Sequence, residues 1–274
     1  MATTAKFFTN FQGEKYIDGW ANIWNLGEFR IWDREYPNPA LEDTLAQRRE
    51  ILGDPVVTDA QGNEYRKKAL VPGCGRGIDV LLLASFGYDA YGLECSAVAV
   101  EACKQEALKN RNRYPIQDPV AGQGTATFVQ GDFFKDDWLE EFQLSRNCFD
   151  LIYDYRFFCA LNPSMRPSWA LRHAQLLALS LRGNLICLEY PRDKDPLLPG
   201  SPWGASSEAY MGHLSHPGEK IPYDDQGRCK IDAFHKPSKQ AFERVAYWQP
   251  TRTHDIGIDE TGKVHDRISV WRQK

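Results

Sequence analysis

Three glycines at alternate positions, Gly73, Gly75 and Gly77, follow an apolar run that stops at Pro72. Acids stand at Asp79, just inside the next apolar pattern, and at Glu94, at the end of a second apolar run. Glycines in such a turn let the backbone approach a ligand closely, and an acid at the tip of the second strand is placed to take ribose hydroxyls. The spacing is G-x-G-x-G rather than the G-x-G-x-x-G of a dinucleotide site, whose amides receive a pyrophosphate. Asp79 would repel a phosphate in the first helical turn. A ligand with a ribose, no phosphate and a cationic centre suits these residues better, and S-adenosylmethionine has all three properties.

The other residues fit a cation and a nucleophile that needs little help. Trp20, Trp24 and Trp32 lie in an aromatic-rich N-terminal segment. Ring faces attract a sulfonium by about 0.5–2 kcal/mol each, which gives the segment a role as a lid. Tyr155 and Tyr190 fall at strand ends, where sheets of this kind bind ligands. Arg156, beside Tyr155, is expected to balance the charge of an anionic acceptor, and Phe158 to line its pocket. No Ser-His or Cys-His pairing is visible, and Cys74, inside the turn, has no base near it in sequence, so it is read as structural. The 6 histidines contain no metal-binding spacing, and no metal is expected.

These residues need a scaffold. Strands are predicted at 68–72, 89–94, 126–130, 149–154 and 185–190, with helices at 77–86, 96–110 and 166–182 between them. Ser96 reads as the cap of the second of these helices. Such alternation implies a doubly wound, largely parallel sheet. Residues 1–36 read as irregular, 40–52 as a helix and 53–67 as polar and turn-rich. From Pro191 to Pro237 the pattern lapses into proline and glycine, too long for a plain connection, so 192–236 is read as a functional insertion near the acceptor site. A helix at 237–244, a strand at 245–248 and a strand at 267–271 close the chain as an edge hairpin. No domain break is visible, so 1–274 is expected to be one domain.

The 274 residues are 42% apolar and 26% charged with a net charge of −4, ordinary for a soluble globular protein. The lack of a strong basic cluster argues against nucleic acid as a partner, and the lack of a long apolar run argues against a membrane. The 7 cysteines form an odd set without a C-x-x-C pair, which reads as reduced thiols in the cytoplasm. A monomer or weak homo-oligomer is expected.

Four pieces together resemble the thiopurine methyltransferase superfamily, most closely its halide and thiol methyltransferases. They are Trp20, Trp24 and Trp32 with Asp33; the run Ala69–Gly77 with Asp79; the segment Asp150–Ala160, reading D-L-I-Y-D-Y-R-F-F-C-A; and Met165–Trp169. The resemblance covers about Gly19 to Pro191 and resumes weakly after Pro237. It implies a class I S-adenosylmethionine-dependent methyltransferase, Rossmann-like α/β, with a seven-stranded mixed sheet and helices on both faces. It implies that Trp20, Trp24 and Trp32 cover the cofactor, Trp32 also facing the acceptor, that Gly73 lies against its methionine part, and that Gly75 also binds the cofactor. Glu94 takes the ribose-binding place, usually Asp, while Asp132 and Phe133 flank adenine. Tyr155 is the strand-tip tyrosine and, with Trp32, the catalytic candidate. The implied reaction methylates a halide, thiocyanate, bisulfide or another thiol. Larger thiols or small natural products, or cofactor binding without turnover, are the alternatives. Arg76, Arg156 and the 192–236 segment depart from the pattern, all bearing on the acceptor.

Overall fold

The computed structural model describes all residues except 1–6, 9, 10, 12, 60, 180–182 and 231–234. Its main sheet has seven strands in the order β5-β4-β3-β6-β7-β9-β8. They are β3 (Lys68–Pro72), β4 (Asp89–Glu94), β5 (Ala126–Gln130), β6 (Leu151–Tyr155), β7 (Asn184–Glu189), β8 (Phe242–Trp248) and β9 (Arg267–Gln273). β3, β4 and β5 pair in parallel, whereas β9 pairs antiparallel with both β7 and β8. The expected mixed seven-stranded sheet is present, and the terminal hairpin joins it through β9. The chain forms two compact units: Phe7–Ser145 with Phe149–Leu151, and Arg146–Cys148 with Ile152–Lys274.

The first unit holds the glycine turn. Helices α4 (Ile78–Ser85) and α5 (Ala97–Lys109) follow β3 and β4, and the Ser96 side chain caps α5 by accepting from the Ala99 amide. Register aligns the strand tips: Pro72 lies opposite Leu93, and Glu94 opposite Gln130. The chain just beyond each tip, carrying Gly73, Cys95 and Asp132, therefore leaves the sheet at one edge.

Several local readings change. The N-terminal segment contains α1 (Tyr16–Asn25), with Tyr16, Gly19, Ile23 and Trp24 buried on one face. The predicted 40–52 helix is two, α2 (Pro39–Gln47) and α3 (Arg49–Leu52), separated at Arg48 with φ −120° and ψ 37°. A short hairpin, β1 (Val56–Thr58) with β2 (Glu64–Arg66), occupies the turn-rich stretch, and α6 (Asp137–Glu141) follows β5.

In the second unit, the 166–182 prediction becomes α7 (Arg166–Leu176), and 180–182 lie outside the described residues. The 192–236 segment contains α8 (Ser207–Ser215), capped by Ser206. It is tied down by Arg166, which donates to the Gly204 carbonyl at 2.6 Å, and by the Trp203 amide, which donates to Cys159 O at 2.7 Å. At 237–244 there is no helix; β8 begins there instead. Burial alternates along β8, and ladder pairing with β9 overrides the local helix-forming composition.

Candidate active site

All three turn glycines have positive φ, 59°, 60° and 74°, a region that side chains rarely adopt. At Gly77 a Cβ would also collide with the Phe128 ring. Glu94 reaches back across this turn. Its Oε1 accepts the Gly75 amide at 2.9 Å and its Oε2 the Cys95 amide at 3.0 Å. Oε1 keeps lone-pair capacity for a further donor, while Oε2 also lies 3.8 Å from the Cys95 thiol. Burial pushes the Glu94 carboxyl up to about 7, against the lowering effect of these amides. Asp79 is used differently. It accepts the Asn38 amide at 3.0 Å and so anchors the start of α2, with burial raising its carboxyl to about 6.

The indoles gather near the turn. Trp20 and Trp24, four apart on α1, share one helix face. Trp24 Cζ2 lies 3.9 Å from where a Gly75 Cβ would be, and its ring stacks on Phe29 at 4.1 Å and 13°. Trp20 meets Trp32 edge-on at 5.3 Å. Among the described residues the buried Trp20 Nε1 has no hydrogen-bond partner. Arg76 ties into this aromatic segment: its guanidinium pairs with Asp33 at 2.7 Å and Glu106 at 3.4 Å and donates to Arg34 O at 3.2 Å. It fastens the chain just after Trp32 onto the turn and α5. Asp132 Oδ1 accepts the Phe134 amide at 2.9 Å, and Phe133 is buried edge-on against Phe134. Cys74 Sγ lies 3.9 Å from Cys103 Sγ, and that neighbour and burial raise its pKa well above the usual thiol value.

The second unit carries the remaining candidates. The Tyr155 hydroxyl, at the end of β6, is 3.0 Å from His254 Nδ1. Sequence reasoning does not single out His254; it lies 99 residues away, and only the fold reveals the pairing. Arg156 has φ 64°, uncommon outside glycine, and its guanidinium carbon lies 5.9 Å from the centre of the Tyr190 ring. Phe158 is fully buried, packed on Trp169 at 4.6 Å and Tyr210 at 4.2 Å with Arg166 over its face. That is core packing rather than exposed lining. Asp154 explains two of the sequence motifs. Trp169 donates to its Oδ2 at 2.7 Å, the Phe158 amide donates to Oδ1 at 3.1 Å, and His173 lies 3.5 Å away, its pKa lowered by burial.

Among the described residues no helix is long and apolar enough to cross a membrane. The family model for thiopurine S-methyltransferase matches residues 18–217. The chain is 32% identical over 196 residues to a probable thiol methyltransferase 2 of Arabidopsis thaliana, covering 71% of each. It is 33% identical to thiocyanate methyltransferase 1 of Brassica oleracea, covering 84% of each. By structure it resembles the magnesium protoporphyrin IX methyltransferase of Synechocystis PCC 6803 with bound S-adenosylmethionine. That likeness has a TM-score of 0.54 at 14% identity, over 96% of this chain and 99% of the other.

Proposed function

This chain belongs to the thiopurine S-methyltransferase family, and we propose that it transfers a methyl group from S-adenosylmethionine to a small soft nucleophile. The acceptor is a halide such as iodide, bromide or chloride, or thiocyanate, bisulfide or another thiol. The observation that carries this reading is Glu94, a buried acid at a strand tip whose Oε1 accepts the Gly75 amide of the glycine turn and whose Oε2 accepts the neighbouring Cys95 amide. Its remaining acceptor capacity suits ribose hydroxyls, and the G-x-G-x-G spacing with Asp79 in the first helical turn disfavours a pyrophosphate.

The residues present fit the cofactor. Gly73 and Gly75 admit its amino-acid end, Trp20 Nε1 offers a donor, and Asp132 and Phe133 flank the base. Trp20, Trp24 and Trp32 offer indole surface to a positive sulfur. When bound, the cofactor supplies an activated methyl on that sulfur. The chain's own work is to align the acceptor and exclude water, and positioning can lower a barrier by about 7–11 kcal/mol. Tyr155, Arg156 and Tyr190 are assigned to the acceptor, with Arg156 offsetting its charge. Phe158 is left out because Trp169 and Tyr210 enclose it.

Incubation with methyl-labelled S-adenosylmethionine and iodide, thiocyanate, bisulfide or an alkanethiol tests the proposal. Volatile labelled product with any of them supports it. Cofactor binding without labelled product on any acceptor contradicts it.

A further inference from the structure

Cys74 and Cys103 bring two thiols together at the glycine turn, and the proposed chemistry uses neither. Both belong to the first unit. Cys74 stands in the turn between Gly73 and Gly75, and Cys103 lies on α5. Their sulfurs are 3.9 Å apart, in contact but unbonded. Two glycines leave room for them. A Cβ at Gly92 would lie 2.7 Å from the Cys74 sulfur, and one at Gly77 would lie 3.2 Å from the Cys103 sulfur. Cys103 donates its S–H to the Gly75 carbonyl at 3.0 Å, while the Gly75 amide donates to Glu94. One residue of the turn is thus held from both sides, by a thiol and by the strand-tip acid. Cys95 has other partners, its sulfur lying 3.8 Å from Glu94 Oε2 and 3.9 Å from the Ile17 carbonyl. Cys103 is fully buried and Cys74 half-buried, so an oxidant meets Cys74 first.

We propose that Cys74 and Cys103 are a site of reversible oxidation, and that the disulfide they form switches off cofactor binding at the glycine turn. The effect on the cofactor rests on the methyltransferase reading above; the bond itself does not. A disulfide holds its sulfurs about 2.05 Å apart, so these two must approach by roughly 2 Å. Cys103 is fixed in a hydrogen-bonded helix, whereas Cys74 is flanked by glycines, the residues whose backbone yields most readily. The turn therefore moves toward α5. Closing the bond also consumes the S–H that the Gly75 carbonyl accepts. Gly75 then shifts against Glu94, and the turn loses the shape that admits the cofactor's amino-acid end.

The oxidant is a peroxide, and the step balances. The Cys74 sulfur attacks one oxygen of hydrogen peroxide, the O–O bond breaks, and the departing hydroxide leaves as water with the thiol proton. The Cys103 sulfur then attacks the sulfenic sulfur, the S–O bond breaks, and a second water leaves with the Cys103 proton. Two electrons pass from the sulfurs to the peroxide. A reducing thiol reverses the change by exchange. The neighbouring Cys103 thiol, burial and the charge of Glu94 keep Cys74 protonated near neutral pH. The thiolate is the reactive form, so the bond closes slowly and answers sustained rather than brief oxidation.

The test treats the full chain with excess hydrogen peroxide and maps its disulfides by mass spectrometry of unreduced peptides. Calorimetry measures S-adenosylhomocysteine affinity before oxidation, after it, and after dithiothreitol. The expected result is a linked Cys74–Cys103 peptide pair, an affinity at least about tenfold weaker, and recovery on reduction. Cys103→Ser keeps a hydroxyl donor for the Gly75 carbonyl, so the reduced variant should bind as the wild type does. After peroxide it should show no linked pair and should retain on Cys74 a sulfenic acid that dimedone traps. Absence of the linked pair in the wild type, or an oxidised protein that binds as tightly as the reduced one, overturns the proposal. If the reduced wild type does not bind S-adenosylhomocysteine at all, the methyltransferase reading falls, and the switch with it, whatever the peptide map shows.

Discussion

Glu94 at the end of β4 and Asp154 near the end of β6 are both buried acids at strand tips, yet their partners differ. Glu94 is held by the backbone amides of Gly75 and Cys95, with the Cys95 thiol 3.8 Å away, and burial lifts its carboxyl to about 7. Asp154 is occupied by the Trp169 indole, the Phe158 amide and a nearby His173. A carboxylate fixed by amides from one side keeps acceptor capacity for a ligand, while one enclosed by side chains is committed to the fold. On the proposed reading the first is a binding acid, whereas the second is committed to the fold.

Removing each acid sharpens the contrast most. Glu94→Ala should lose about 3 kcal/mol of S-adenosylhomocysteine affinity, near a hundredfold by calorimetry, because hydrogen bonds to a charged group are worth about 1.5–3 kcal/mol each. Its melting temperature should move less, because Gly75 and Cys95, whose amides Glu94 accepts, are half-buried and their freed amides can turn to water. Asp154→Ala should do the reverse. It strands the buried Trp169 N–H and should cost about 1–3 kcal/mol of unfolding free energy in a denaturant titration, with cofactor affinity retained in the folded fraction. Should both variants lose affinity and stability alike, the division between the two acids is wrong.

A smaller effect concerns pH. On the proposed reading ribose hydroxyls donate to the ionised form of Glu94, so binding is expected to expel a proton wherever the free carboxyl holds one. Affinity should rise with pH until about 7, where the free carboxyl titrates, by up to about tenfold per unit below that point. Calorimetry in buffers of different ionisation enthalpy would report the proton released, and Glu94→Gln should abolish it. Smallest is Arg76→Ala, which frees the chain after Trp32 from the turn. Its side chain is partly exposed, so we expect about 1 kcal/mol of lost cofactor affinity, seen as a several-fold weaker binding constant. Unchanged affinity would detach Arg76 from the lid.

The cofactor side is legible in the sequence because its signals are local. Three alternate glycines, a strand on either side and an acid at the second tip all lie between Lys68 and Glu94. Each is visible without knowing the fold. The surroundings of the proposed acceptor residues are not, because their pairings join distant segments: Tyr155 meets His254 across 99 residues, and no periodicity announces that. The helix α8 escapes sequence reading for a related reason. Ser207, Ala209, Tyr210, Gly212, His213 and Leu214 are buried nearly all round it, so no polar face marks its period. By contrast α1 is readable in principle. Tyr16, Gly19, Ile23 and Trp24 follow helical spacing, but the aromatic and glycine content masks it. The expected 237–244 helix fails because propensity is a weak guide where a strand can pair, as β8 does with β9.

The most direct test of the account is a diffraction structure of the chain with S-adenosylhomocysteine. The account predicts both ribose hydroxyls on the Glu94 carboxylate, with the indoles of Trp20, Trp24 and Trp32 against the ligand beside the glycine turn. A nucleoside bound elsewhere, or Glu94 still bonded to Gly75 and Cys95 with no ligand hydroxyl on it, would contradict it.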